Sequence, residues 1–391
     1  MSFDKTLQEI IDRLQNKEQG YYNCIPFSLE RLSSVVPGII PGEYYLVTGS
    51  SGSAKSKITR HLFIHEPYLY IRNHPELDIK FHVLYWSLEE GYNKVEKSEI
   101  SRLLKRKYGL NKGYRDLMSI GPNSNLTWED VEKIKQMKSD LDEWDKHIKV
   151  FDASNANPTG IMKTIESFAY KIGRYYKSDG TPFTDEEMAE VRLGKGEWLD
   201  KVKSYKTDHP RHYVLIVIDH VGLINTEKGM SLKDSIFLLS TVYLLRAKNR
   251  FGFIPVIVQQ QQSIKEKMQY TNSGNAIEDK VEPSLDALAE CTTTHREATI
   301  AFGIFAPERY KIESHNGYDI TILRNNYRSL KVLKQRDEIA NVALPLYFEG
   351  ESDYFKTLPP ANQENKELIN KIYEKVINKR NERRKTQLQV G

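Results

Sequence analysis

Hydrophobic and polar positions follow two rhythms along this chain. Residues 3–14 set Phe3, Leu7, Ile10, Ile11 and Leu14 at helical spacing with charges between them, which predicts a short amphipathic helix whose apolar stripe needs a partner surface. Shorter apolar runs rich in β-branched and aromatic residues then recur at 44–47, 81–86, 147–151, 213–218, 254–258, 298–304, 320–323 and 342–348, and these predict strands. Helix-period stretches lie between several of them: a short one at 28–35, one opening near Lys55, and others over 128–145 and 159–176. The alternation predicts an α/β fold with a mostly parallel sheet covered by helices on both faces. A polar, glycine-punctuated stretch at 177–210 interrupts one helix-to-strand step and reads as a surface insertion. A last helix is expected over 366–385, with Leu368, Ile369, Ile372, Tyr373 and Val376 on one face.

Composition narrows the function classes. The 391 residues suffice for one large core or two modest ones. A net charge of +4, from 57 basic and 53 acidic residues, excludes a polybasic protein that grips phosphate over its whole surface, so any nucleic-acid contact must be local. The surplus lies in the tail, where from Lys371 to the end seven basic residues face two acidic ones. Cys24 and Cys291 form no CxxC and no zinc-ligand spacing, which argues against a disulfide or zinc scaffold and suits a reducing cytosol. The first residues lack a secretion-signal pattern and the longest apolar run is a handful of residues, so a soluble cytoplasmic protein without a membrane span is expected.

The chemistry centres on Gly49-Ser50-Ser51-Gly52-Ser53-Ala54-Lys55-Ser56, which follows a predicted strand and opens a predicted helix. Backbone N–H groups of such a loop and the helix N-terminus meet phosphate oxygens, with Lys55 on the β/γ-phosphates of a nucleotide and Ser56 on Mg²⁺. Ala54 stands where the pattern has its second glycine, and a β-carbon there costs on the order of 1 kcal/mol if φ is positive. A loop of this kind needs a carboxylate at the end of a second buried strand, and Asp219 supplies it after Leu215-Ile216-Val217-Ile218. His220 follows Asp219, so the water-activating base must come from elsewhere. Glu89, in Ser87-Leu88-Glu89-Glu90 at the predicted end of a parallel strand, is placed to orient water.

Taken in order, these segments resemble the RecA-like ATPase core of DnaB-type replicative hexameric helicases over most of residues 20–357. Ile25-Pro26-Phe27-Ser28 through Pro41-Gly42-Glu43 looks like the family's lead-in, Ser87-Leu88-Glu89 like its catalytic glutamate segment, and Val217-Ile218-Asp219 like its Walker B strand. Pro255-Val256-Ile257-Val258 followed by Gln259 to Gln262 is similar to the strand ending in a sensor glutamine. Gln261 is favoured, with the register open among four glutamines. The stretch from Pro283 to Glu290 resembles the segment after the second DNA loop, and Lys334-Gln335-Arg336 the Lys-x-Arg that reaches a neighbouring subunit's nucleotide.

The resemblance implies an ATP- and Mg²⁺-dependent motor that assembles as a homo-oligomer, most simply a hexameric ring, with Lys334 and Arg336 acting in trans, single-stranded DNA as its track, and a primase or helicase loader as further partner. The DNA loops would be 225–235, with Lys228 and Lys233, and 263–282, with Lys265, Lys267 and Tyr270. Acidic residues share both loops, so plain solvation is an equal reading of any one lysine, and the basic tail is a second electrostatic candidate. The expected organisation is an amphipathic linker helix at 1–19, the ATPase domain at 20–357 and a basic helical tail at 358–391, with no room for the family's separate N-terminal domain. The first helix would pack on an adjacent subunit or on its own core. A recombinase-type filament and a degenerate phosphate-loop assembly module remain as rivals.

Overall fold

The computed structural model describes residues 3–192, 201–262, 281–336 and 340–390. An N-terminal helix α1 (Phe3–Glu18) precedes the first long strand, β1 (Tyr45–Gly49). From β1 the chain turns into α2 (Lys55–Arg60), which runs through a π-turn at His61–His65 into α3 (Glu66–Asn73). Strand β2 (Lys80–Ser87), α4 (Tyr92–Tyr108), α5 (Trp128–Gln136), α6 (Lys138–His147), β3 (Ile148–Phe151) and α7 (Pro158–Ile172) follow. A hairpin of β4 (Gly173–Tyr176) and β5 (Ser204–Thr207) encloses α8 (Asp185–Arg192). Then come β6 (His212–Asp219), α9 (Leu232–Phe237), α10 (Leu244–Phe251), β7 (Ile254–Gln260), β8 (Ile300–Phe305), β9 (Tyr327–Gln335), β10 (Ala343–Glu349), β11 (Tyr354–Thr357) and α11 (Lys366–Val390).

Nine strands form one sheet in the order β11-β10-β9-β8-β1-β7-β6-β2-β3. The six from β8 to β3 run parallel, while β9, β10 and β11 add an antiparallel wing. This mixed, mostly parallel sheet with flanking helices is a RecA-like α/β fold. Alternation within each strand sorts side chains to two cores: Tyr45, Val47, Val83, Tyr85, Leu215 and Val217 pack on one face, and Leu46, Leu84, Trp86, Val214, Ile216 and Ile218 on the other. Because both faces are covered, the parallel strands read as continuous apolar runs. No helix among the described residues is long and apolar enough to cross a membrane.

Several expectations are corrected. The predicted helix over 159–176 stops at Ile172, and Gly173 starts a strand whose backbone passes so close to β5 that a β-carbon would stand 2.3 Å from the Lys206 carbonyl. The described part of the 177–210 insertion is no mere surface appendage, since Phe183, Met188 and Val191 are buried in the second core. Residues 320–323 form a helical turn, not a strand, because the Asp319 carboxylate accepts the Ile322 N–H at 3.2 Å and caps it. The 128–145 stretch divides into two helices at the buried Met137. Strand β9, the longest in the sheet, went unpredicted because Arg328, Lys331 and Lys334 interrupt its apolar pattern. The apolar stripe of α1 stays open, with Phe3 77% and Ile10 58% exposed, so it does not pack on its own core.

Candidate functional site

Strand β1 is flanked on both sides by parallel neighbours, with Val47 opposite Val258 on β7 and Phe302 on β8. Its C-terminal end therefore opens at the centre of the sheet, where the 50–54 loop carries the chain into α2. Gly49 permits the turn: a β-carbon there would stand 2.4 Å from the Ile304 carbonyl and 2.6 Å from Ser53 Oγ. The loop is closed by the Ser53 N–H and hydroxyl, both donating to the Ser50 carbonyl, at 3.2 and 2.8 Å. Lys55 is buried and its ammonium donates to the same carbonyl at 2.9 Å, so its charge lies folded across the loop. Ala54, immediately before α2, adopts φ 80°, the left-handed region where a β-carbon is costly.

Ser56, one residue into α2, donates to Asp219 Oδ1 at 3.0 Å, and the Tyr85 hydroxyl donates to Oδ2 at 3.1 Å. The register places Asp219 beside Ser87 on β2 and Val258 on β7, so three parallel strands converge on one rim. Burial pushes the Asp219 carboxyl up to about 6, against the pull of the Arg60 guanidinium and of the Ser56 and Tyr85 hydroxyls. A serine hydroxyl and a carboxylate at this separation are hard oxygen donors suited to Mg²⁺. The described residues contain no cluster of three or more His, Cys, Asp or Glu that could hold a metal ion.

Glu89 sits just beyond β2 with its carboxylate exposed, and among the described residues it makes no hydrogen bond or ion pair. The turn that carries it is tied to the metal-side strand by the Leu88 N–H, which donates to the Asp219 carbonyl at 2.7 Å. His220, following Asp219, is drawn down from the usual imidazole range by burial and by the Lys55 charge, and up by Glu89, so these three groups share one electrostatic environment.

At the end of β7 the four glutamines separate into different tasks. Gln259 is fully buried and donates to the Cys291 carbonyl at 2.8 Å, as well as to that of Ala289. Gln261 is buried too, and its amide donates to Thr48 Oγ1 at 2.8 Å and to the Ser284 carbonyl at 3.0 Å. It thus bridges β1, one residue before Gly49, to the segment that returns from 263–280.

Sequence reasoning missed a second ring of residues around the loop. The Ser50 hydroxyl meets the Tyr310 hydroxyl at 2.6 Å, and Arg328 Nε donates to the Ser53 carbonyl at 3.0 Å while its guanidinium stacks 4.6 Å from the Phe348 ring. Burial lowers Arg328 to about 10. Arg309 lies over the loop, with Nη1 1.8 Å from where a β-carbon on Gly52 would stand, and Gly52 itself takes a φ of 68°, the left-handed region that favours glycine. No local pattern marks these residues, since each lies more than 250 positions from the loop it touches.

Lys334 and Arg336 are not brought to this site. Strand β9 is antiparallel to β8, with Lys334 opposite Ala301, which is itself opposite Leu46 on β1. Three residues of strand, about 10 Å, separate that level from Gly49. Lys334 donates to the His295 and Arg296 carbonyls at 2.7 and 3.2 Å, and Arg336 to Arg296 at 3.1 Å, on the opposite rim of the sheet. Lys228 and Lys233 are exposed; Lys233 belongs to α9, capped by Ser231, so the first loop is shorter than expected. Lys265, Lys267 and Tyr270 lie outside the described residues.

No family model and no curated protein matches the sequence. Among solved structures, the chain is similar to one solved as an ATPase domain, with a TM-score of 0.57 and 16% identity over 92% of this chain and 99% of that one. It is similar to the same degree to a DnaB-like replicative helicase solved for its interactions with primase, over 92% of this chain and 67% of that one. At this identity the likeness is one of fold, and the chain has the fold of DnaB-like helicase ATPase domains.

Proposed function

We propose that this chain hydrolyses ATP with Mg²⁺ as a ring-forming motor, most simply a hexamer, that translocates on single-stranded DNA and separates duplex strands. The observation that carries the reading is the split of the chemistry between two rims. The phosphate loop, Lys55, Ser56 and Asp219 meet at one end of the sheet, while the Lys334–Arg336 pair lies too far down β9 to reach them within one chain. Turnover then requires a second copy that presents its β9 rim to the first copy's loop, and the open apolar stripe of α1 is a further surface for such assembly.

In this reading the loop amides of residues 50–55 and Lys55 hold the phosphates. Ser56 and Asp219 hold the metal and its water shell, and the bound ion supplies charge neutralisation on the phosphate oxygens. Glu89 orients the attacking water, Gln261 reports the state of the phosphates to the 263–282 segment, and Arg309 adds a cation from the same chain. Lys228, Lys233, Lys265, Lys267 and Tyr270 are the proposed contacts to DNA. A primase or loader is the proposed partner beyond the ring, in keeping with the interaction named for the DnaB-like helicase.

Turnover measured with and without single-stranded DNA, for the wild-type chain and Lys55→Ala, tests the proposal: DNA stimulation that Lys55→Ala abolishes is expected, and absence of both sinks it. The positive φ of Ala54 favours one other reading, a degenerate phosphate-loop module that binds nucleotide without turning it over. Nucleotide binding with no hydrolysis in an intact oligomer would select it.

A further inference from the structure

Buried inside the phosphate-loop helix is a charge that fold stability alone does not call for. Arg60 is 1% exposed, on the core-facing side of α2. An ion taken from water at such a position costs several kcal/mol unless every donor is used, and an apolar residue of similar volume is often as stable. Every donor group is used here: Nε and Nη2 donate to Asp353 Oδ2 at 3.0 and 2.7 Å, and Nη1 donates to Glu90 Oε2 at 2.7 Å. Asp353, in the turn between β10 and β11, is also held by Lys57 at 2.6 Å and by the Ser98 hydroxyl at 2.7 Å. The other oxygen of Glu90 meets Lys94 at 2.7 Å.

The consequence falls on the residue between. Residues 87–90 form a turn whose first half is fixed by the Leu88 N–H on the Asp219 carbonyl, and whose second half is fixed by the Ser87 hydroxyl on the Glu90 carbonyl and by Arg60 on the Glu90 carboxylate. Glu89 is the one side chain of that turn left pointing to solvent without a partner among the described residues. We propose that Arg60 is a positioning residue for Glu89, acting through Glu90, so that the helix carrying Lys55 and Ser56 also sets where the water-orienting carboxylate stands. This rests on the assignment of Glu89 made above and adds to it a rigid link between phosphate contact and water contact.

Replacing Arg60 risks unfolding, so the test uses Glu90, whose side chain is 17% exposed. Hydrolysis under single-turnover conditions and binding of a fluorescent ATP analogue are measured on the full chain for Glu89→Ala, Glu90→Ala, Glu90→Gln and Glu89→Ala/Glu90→Ala. Glu90→Ala is expected to slow hydrolysis by about 10- to 100-fold, the cost of a misplaced catalytic group, with analogue affinity within about twofold of wild type. Glu90→Gln, which keeps an acceptor for Arg60, recovers most of that loss. In the Glu89→Ala background, Glu90→Ala costs nothing further, because a residue that acts only through Glu89 has nothing left to position. An equal loss in both backgrounds, a loss of affinity in place of rate, or wild-type hydrolysis by Glu90→Ala beside an impaired Glu89→Ala overturns the inference. Wild-type hydrolysis by Glu89→Ala instead overturns the assignment of Glu89 itself, and the positioning role with it.

Discussion

At the C-terminal ends of β1, β2 and β6, the carboxylates are held by other side chains: Asp219 by Ser56 and Tyr85, and Glu90 by Arg60. On the other rim, Lys334 and Arg336 bond, among the described residues, to backbone carbonyls of the 292–296 turn. A cation resting on a carbonyl forfeits little when a stronger anion arrives, whereas a carboxylate wired into hydroxyls and guanidinium groups is fixed before anything binds. The contrast fits the proposal that one rim receives the nucleotide and the other lends its charge to a neighbouring copy.

The largest expected effect breaks that contrast from the giving side. Arg336→Ala should lower turnover by about 10³-fold with the oligomer intact, the scale of an arginine finger. Mixing it with Lys55→Ala subunits should restore part of the rate, because each variant supplies what the other lacks; no recovery in mixed oligomers refutes the division between rims. On the receiving side, Asp219→Asn should abolish hydrolysis yet raise the stability of the nucleotide-free chain by about 3 kcal/mol at most, since burial has lifted the carboxyl from its usual range to about 6. Thermal unfolding at neutral pH reads this, and a destabilised variant contradicts it.

Acid should act more gradually. His61 near the phosphate-loop rim, and His82 with His212 towards the other end of the sheet, are all pushed down to about 4 by burial. Their unfolded forms take protons near 6.5, so the stability they permit is complete above that pH and is lost as pH falls towards 4. Urea midpoints at pH 7.5 and 5.5 check this, and His82→Gln with His212→Gln should flatten the difference. The smallest effect sharpens the loop itself: Ala54→Gly relieves the φ of 80° and should stabilise the chain by about 1 kcal/mol.

The receiving rim was largely legible in the sequence because its parts are local. A strand, a glycine-serine loop and a helix follow one another, and Asp219 ends an uninterrupted apolar run, so spacing alone suggested where Lys55, Ser56 and Asp219 would stand. What encircles the loop was not legible. Arg328 looks like a charge that breaks a strand pattern, and only the fold reveals that its guanidinium is buried against Ser53. Arg309 and Tyr310 read as an ordinary polar turn until β8 is laid beside β1. The 320–323 run fooled the strand pattern because a single capping carboxylate outweighs three apolar residues.

The central place of β1 also sets an order of events in time. Its partners are β7 and β8, so the strand that leads into the 50–54 loop does not have both neighbours until roughly 250 further residues have been synthesised. At roughly 5 to 20 residues per second, that is a wait of about 13 to 50 seconds. The loop's own residues are made early, but the proposed nucleotide cradle is among the last parts of the molecule to mature, and a chain halted before β8 carries the motif without its frame.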